Sequence, residues 1–179
     1  MLLFLDINGS TALAERLGAL TMRSLVRRFL SDVSQPIVDH GGEIYLYKGD
    51  GLIAIWNWAD AFKADAILKA VDAMFATVAN EREVYQRLFG LVPGFRVGVH
   101  GGAVIVSEQG DAKRSIGIYG DAINIAARME EAARAHNVRC VISEVVAQAL
   151  ADRSHVRHIG SEQVKGISVP VAICEYAAG

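Results

Sequence analysis

The chain has 179 residues, with 18 Lys and Arg against 20 Asp and Glu and a formal charge of −2. Apolar residues make up 52% and charged residues 21%, which excludes disordered and fibrous classes, and the charge balance offers no basic surface to nucleic acid or to an anionic membrane. Two cysteines, Cys140 and Cys174, cannot make a disulfide scaffold or a cysteine-built zinc centre, no apolar run approaches the ~20 residues that span a bilayer, and no signal peptide is visible.

Leu2-Leu3-Phe4-Leu5 opens a buried strand over residues 2–7 that ends in Asp6 and Ile7. A chain that begins inside a core strand reads as a domain excised from a longer protein, with residues 1–179 forming one domain. Asn8-Gly9 is a turn, and Ser10 or Thr11 is placed to cap the helix that follows. The helix runs over 11–39, where Leu25, Phe29, Val33 and Ile37 recur every four residues, and Gly18 breaks it. Strands at Glu43–Tyr47 and Leu52–Trp56 flank Lys48-Gly49-Asp50-Gly51, an Asp-Gly hairpin turn. A long helix is predicted over 60–89, then strands at Phe95–His100 and Ala103–Ser107 around Gly101-Gly102, and a polar loop over Glu108–Arg114. A short strand at Ile116–Tyr119 leads into a helix from Asp121 to about His136. Val138–Ile142 is a strand, Ser143–Ala151 a helix, and 155–164 and 171–177 are the last strands. The leading order, strand, helix, hairpin, helix, strand, is the βαββαβ plan of α+β ferredoxin-like folds. It predicts a largely antiparallel sheet with extra strands and with helices on one face.

In a βαββ unit the first strand neighbours the hairpin, so Asp6 and Asp50 can lie side by side. Two like charges so placed need a cation between them, and oxygen ligands suit Mg²⁺ or Mn²⁺ with substrate phosphates completing the shell. Taken singly, Asp6 is as easily a helix cap and Asp50 a turn residue. Gly9, Gly49 and Gly51 flank the pair and let backbone N–H groups approach a ligand. Ser10 and Thr11 start a helix whose amides can face an anion. Metal, glycine loops and helix start together suggest a nucleoside triphosphate.

Asn124 and Arg128, at i and i+4 after Gly120-Asp121, share a helix face that can hold a sugar and developing phosphoryl charge, or can simply be the wet side of an amphipathic helix. At this point four blocks stand in order: Phe4-Leu5-Asp6-Ile7-Asn8-Gly9-Ser10-Thr11, Gly49-Asp50-Gly51, Phe95-Arg96-Val97-Gly98-Val99-His100-Gly101-Gly102, and Gly120 to Arg128. With Val164-Lys165-Gly166 as a fifth, they resemble the class III adenylyl and guanylyl cyclase catalytic domain over essentially the whole chain. The resemblance implies that Asp6, Asp50 and the Ile7 carbonyl hold two Mg²⁺ or Mn²⁺ ions. It implies that Asn124 orients the ribose, Arg128 stabilises the pentavalent phosphorus, and Lys165 and, more loosely, Arg139 contact phosphates. It also implies a head-to-tail homodimer whose two sites take metal ligands from one subunit and Asn124, Arg128 and Lys165 from the other.

Base choice in such cyclases rests on two positions. One, three residues before the hairpin glycine, is typically Lys for adenine and Glu for guanine; here it is Leu46. The other, seven residues before the ribose Asn, is typically Asp or Thr for adenine and Cys or Ser for guanine; here it is Gly117. Neither offers a side-chain hydrogen bond, which leaves backbone groups or Glu43, Tyr45 and Lys48 as readers. The expected reaction is ATP to 3′,5′-cyclic AMP and pyrophosphate, with a guanylyl cyclase or a weakly active or inactive dimerisation module as alternatives. A diguanylate cyclase is disfavoured because its Gly-Gly-Asp/Glu-Glu-Phe hairpin is missing. The expected location is the cytoplasm, for a parent protein that can itself be membrane-anchored.

Overall fold

The computed structural model describes residues 1–57, 63–109 and 115–178. In chain order the elements are β1 (Leu2–Ile7), α1 (Ser10–Leu17), α2 (Ala19–Asp39), β2 (Glu43–Lys48), β3 (Gly51–Ile55), α3 (Lys63–Asn80) and α4 (Arg82–Phe89). They continue with β4 (Phe95–His100), β5 (Ile105–Gln109), β6 (Ser115–Tyr119), α5 (Asp121–Ala135), β7 (Cys140–Ser143), α6 (Glu144–Gln148), β8 (Val156–Glu162) and β9 (Val171–Tyr176). Seven strands form one sheet in the order β2-β3-β1-β4-β7-β9-β8. Only the β4–β7 pairing is parallel; β1–β3, β1–β4, β2–β3, β7–β9 and β8–β9 are antiparallel. The β4-β1-β3-β2 portion is the ferredoxin-like core expected from the element order, and β7, β9 and β8 extend it beyond β4.

Alternation along the strands assigns the helices to faces. Leu3, Leu5 and Ile7 pack into the main core with Leu25, Phe29 and Val33 of α2 and Ile67, Val71 and Met74 of α3. Phe29, Phe75 and Phe95 stack there, with ring centroids 5.2 and 4.3 Å apart. Leu2 and Phe4, on the other side of the pleat, pack against Ala122 and Ala126 of α5, while Val141 and Ile173 meet Ile125 and Met129. The helices therefore cover both faces, not one as expected. The reason is visible at Gly98 in β4, directly opposite Phe4, where a Cβ would stand 2.1 Å from the Glu130 nitrogen. That bare backbone lets α5 lie down on the second face.

Three other expectations change. The helix predicted over 60–89 is two helices divided at Glu81, whose carboxylate takes Arg28 of α2; residues 60–62 lie outside the described residues, as do 110–114 of the predicted polar loop. The strand predicted at Ala103–Ser107 is shifted to Ile105–Gln109. It pairs with β6 in a separate two-stranded sheet. The helix predicted over Ser143–Ala151 shrinks to the five residues of α6, with Ser143 as its N-terminal flank. The break at Gly18, with φ 75°, falls where expected. Among the described residues no helix is long and apolar enough to cross a membrane.

Candidate active site

Asp6 ends β1 on the face that α5 covers, and Asp50 sits in the β2–β3 turn beside it. Leu5 pairs with Leu52 across the sheet, so the turn folds over the end of β1. The approach is so close that a Cβ on Gly51 would lie 2.2 Å from the Leu5 carbonyl oxygen and 3.0 Å from Asp6 Oδ1. Burial, then the charges of Asp50 and Glu130 and a hydrogen bond to Asp50, push the Asp6 carboxyl up to about 6, against the pull of Arg134. Arg134 reaches Asp6 at 3.7 Å and Glu130 at 3.5 Å. Asp50 Oδ2 is buried and has no hydrogen-bond partner. An orphaned carboxylate oxygen beside a second carboxylate is the arrangement a divalent cation completes, so these residues fit the metal the sequence pattern implies. They line a cavity of about 410 Å³ with Lys48, Glu130 and Glu131.

α5 presents two polar stripes. Ala127, Glu130 and Arg134, at i, i+3 and i+7, face the carboxylate pair. Asn124, Arg128 and Glu131 face a second cavity, of about 470 Å³, that Gln163, Val164 and Lys165 close from the far side. The structure thus brings Asn124, Arg128 and Lys165 together. Arg128 donates from Nε and Nη2 to Glu162 Oε2 at 3.0 and 2.7 Å and from Nη1 to Glu131 Oε2 at 2.7 Å. Its guanidinium is therefore held between Glu162 and Glu131, and the two cavities share Ala127 and Glu131 as walls. Glu130, Glu131, Arg134 and Glu162 escaped the sequence reading. The first three were legible as helical spacings from Asn124 and Ala127; Glu162 was not, because nothing local ties the end of β8 to α5.

The remaining residues fall into three places. Gly9, with φ 63°, is the N-terminal flank of α1, and neither Ser10 nor Thr11 caps the helix; both lie inside its first turn. Arg139 donates to the Ala178 carbonyl at 2.6 Å and lies 4.6 Å from the centre of the Phe75 ring. It lines a third cavity, of about 580 Å³, with Asn8, Arg16 and Arg82, and reaches neither of the other two. Leu46, 46% exposed on β2, and Gly117, buried on β6, sit beside a bridge between those strands: the Ile118 N–H donates to the Tyr45 hydroxyl at 3.1 Å. Tyr45 thereby links the strands that carry the two positions at which base choice was expected.

This geometry has known counterparts. Residues 1–176 match the family described as adenylate and guanylate cyclase catalytic domain. The chain is 31% identical over 179 residues to "Adenylate cyclase 2" of Rhizobium meliloti, covering 99% of this chain and 49% of that protein. It spans half or less of the curated relatives' lengths in the other matches to adenylate cyclases as well. Its fold is similar to that of a bacterial light-regulated adenylyl cyclase, with a TM-score of 0.87 at 22% identity over 99% of this chain and 51% of that one. It is also similar to the guanylyl cyclase Cya2, with a TM-score of 0.77 at 25% identity over 99% and 90% of the two chains. The match spans every block from Asp6 to Lys165, and the chain belongs to the adenylate and guanylate cyclase catalytic domain family.

Proposed function

We propose that this catalytic domain is an adenylyl cyclase that converts ATP to 3′,5′-cyclic AMP and pyrophosphate in a head-to-tail homodimer. The observation that carries the reading is the orphaned Asp50 Oδ2 beside Asp6, on the opposite side of Glu131 from Asn124, Arg128 and Lys165. One chain holds a cation half-site and a nucleotide half-site in neighbouring cavities that share Ala127 and Glu131 as walls, so a two-fold pair that joins this surface to its own copy would set each half-site against its complement.

Asp6, Asp50 and the Ile7 carbonyl would hold two Mg²⁺ or Mn²⁺ ions, which would supply Lewis-acid activation of the 3′-hydroxyl and offset phosphate charge. Glu130 and Arg134 set the charge around the carboxylates, one repelling and one attracting. Gly9, Ser10 and Thr11 present the N-terminal amides of α1 to the phosphates, uncapped by any side chain. From the partner, Asn124 orients the ribose, Lys165 meets the β- and γ-phosphates, and Arg128 stabilises the charge that develops on phosphorus. Arg139, with Arg16 and Arg82 beside Asn8, supplies positive potential next to the same turn. The relatives named adenylate cyclases and the oxygen-donor cation pair support this reading.

Leu46 and Gly117 give an apolar base pocket. Such a pocket discriminates by about 10²-fold, whereas a hydrogen-bonding site rejects the wrong group by about 10⁴-fold. ATP is therefore preferred over GTP, and only modestly, because Leu46 lacks the carboxylate a guanine edge needs. Comparing kcat/KM for the two nucleotides with Mn²⁺ tests this. A GTP preference overturns the choice of nucleotide, and turnover of neither overturns the enzymatic reading.

A further inference from the structure

The far edge of the sheet carries a second set of donor atoms. Glu144, His158 and Cys174 each offer one ligand atom, and the three lie within 4.8 Å of one another. They come from three elements: the first turn of α6, β8 and β9. His158 stands directly opposite Cys174 in the β8–β9 register, and β8 is bulged between His158 and Gly160. Bulges re-aim the side chains beside them. Glu144 follows Ser143, which pairs with Ile173 on the other side of β9. β8 lies four strand spacings from β1, about 19 Å, so this cluster is separate from Asp6 and Asp50.

The contacts within the cluster are those of a site with a proton in it. Cys174 is 1% exposed, and its Sγ–H donates to Glu144 Oε2 at 3.1 Å. Arg153 holds the other oxygen, Oε1, at 3.2 Å, which orients the carboxylate and leaves Oε2 turned to the sulfur. His158 is exposed and gives the cluster one open side. Burial and the hydrogen bond to Glu144 push the thiol up to about 12.

We propose that Glu144, His158 and Cys174 form a binding site for a borderline-soft divalent cation of the zinc type, with its fourth coordination position open on the His158 side. One thiolate, one imidazole and one carboxylate make a three-ligand set suited to tetrahedral Zn²⁺. Mg²⁺ and Mn²⁺ prefer oxygen donors, so the two centres of the chain sort cations by donor type. On binding, the Cys174 S–H bond breaks, its proton passes to solvent, and a metal–sulfur bond forms with no change of oxidation state. The ion ties α6, β8 and β9 together at the sheet edge.

Co²⁺ is the probe, because a cobalt–thiolate bond gives a charge-transfer absorption that oxygen ligands do not. The Asp6→Asn chain, titrated with Co²⁺ under excess Mg²⁺, is expected to develop this band at one ion per chain. Equimolar Zn²⁺ should displace it. Cys140→Ala keeps the band and Cys174→Ser abolishes it. His158→Ala, at an exposed position, leaves the fold intact and weakens Co²⁺ binding at least about tenfold. The proposal is overturned if no charge-transfer band appears at millimolar Co²⁺, if the band survives Cys174→Ser, or if His158→Ala binds Co²⁺ as tightly as the parent chain.

Discussion

Asp6 is a carboxylate kept where it is uncomfortable. Burial and the charges of Asp50 and Glu130 raise its pKa from about 3.8 to about 6, so its ionised form is less stable folded than unfolded. The stability tied to its protonated form is complete below the unfolded pKa and is lost as pH rises through about 6. Asp6→Asn should therefore show a metal-free Tm at pH 8 no lower than wild type, with any gain vanishing at pH 4, while cyclase turnover falls by orders of magnitude. A lower Tm at pH 8 would contradict the repulsion, and normal turnover would contradict the cation role. Glu162 acts through Arg128. Glu162 is only 14% exposed at its side chain and accepts two of the three hydrogen bonds that the guanidinium gives to Glu162 and Glu131. Glu162→Gln weakens that grip, so kcat should fall about tenfold, the equivalent of one net hydrogen bond, with KM nearly unchanged. An equal rise in KM would mean that Arg128 serves ground-state binding instead. The adjacency of Asp6 and Asp50 was legible from the βαββ order, and that of Asn124 and Arg128 from their i, i+4 spacing. The contact of Glu162 with Arg128 was not, since the two lie 34 positions apart and meet only after the chain folds back.

At the scale of elements, α5 decides the site, since it carries both polar stripes and lies over β4, β1 and β7. Its seat depends on Gly98. Gly98→Ala sets a methyl group 2.1 Å from the Glu130 nitrogen, and backbone cannot swing aside as a long side chain can. Overpacking of this kind costs about 1–3 kcal/mol. Urea unfolding should show that loss, and turnover should fall further than stability explains, because Glu130, Arg134 and Arg128 all move with the helix. An unchanged midpoint would mean that α5 is not seated on that strand. The periodicity of α5 was readable, but its face was not: period 3.6 shows which side of a helix is apolar and nothing about which side of a sheet receives it. The same holds for β5, whose alternation marks a strand without naming its partner. It pairs with β6 rather than β4, and the Tyr45–Ile118 hydrogen bond then carries that small sheet to β2.

At the scale of the whole molecule, the two cavities raise the question of what completes them. Asp6 and Asp50 open into one, Asn124, Arg128 and Lys165 into the other, and Arg128 is bound to Glu162 and Glu131 instead of leaning across. Exposed apolar side chains on β2, β5 and β6 include Leu46, Tyr47 and Ile105, the last 71% exposed. The βαββαβ order was legible from the alternation of elements, and the seven-strand sheet follows it. A site divided between subunits was an expectation of the family resemblance, whereas sequence order by itself says only that Asp50 and Asn124 share a chain. The most direct test mixes two inactive proteins, Asp50→Ala and Arg128→Ala, under conditions where subunits exchange. In the mixed dimer one site collects both lesions and the other neither. Random pairing should then restore about a quarter of wild-type turnover. Mixed dimers that demonstrably form and stay inactive would contradict the composite site.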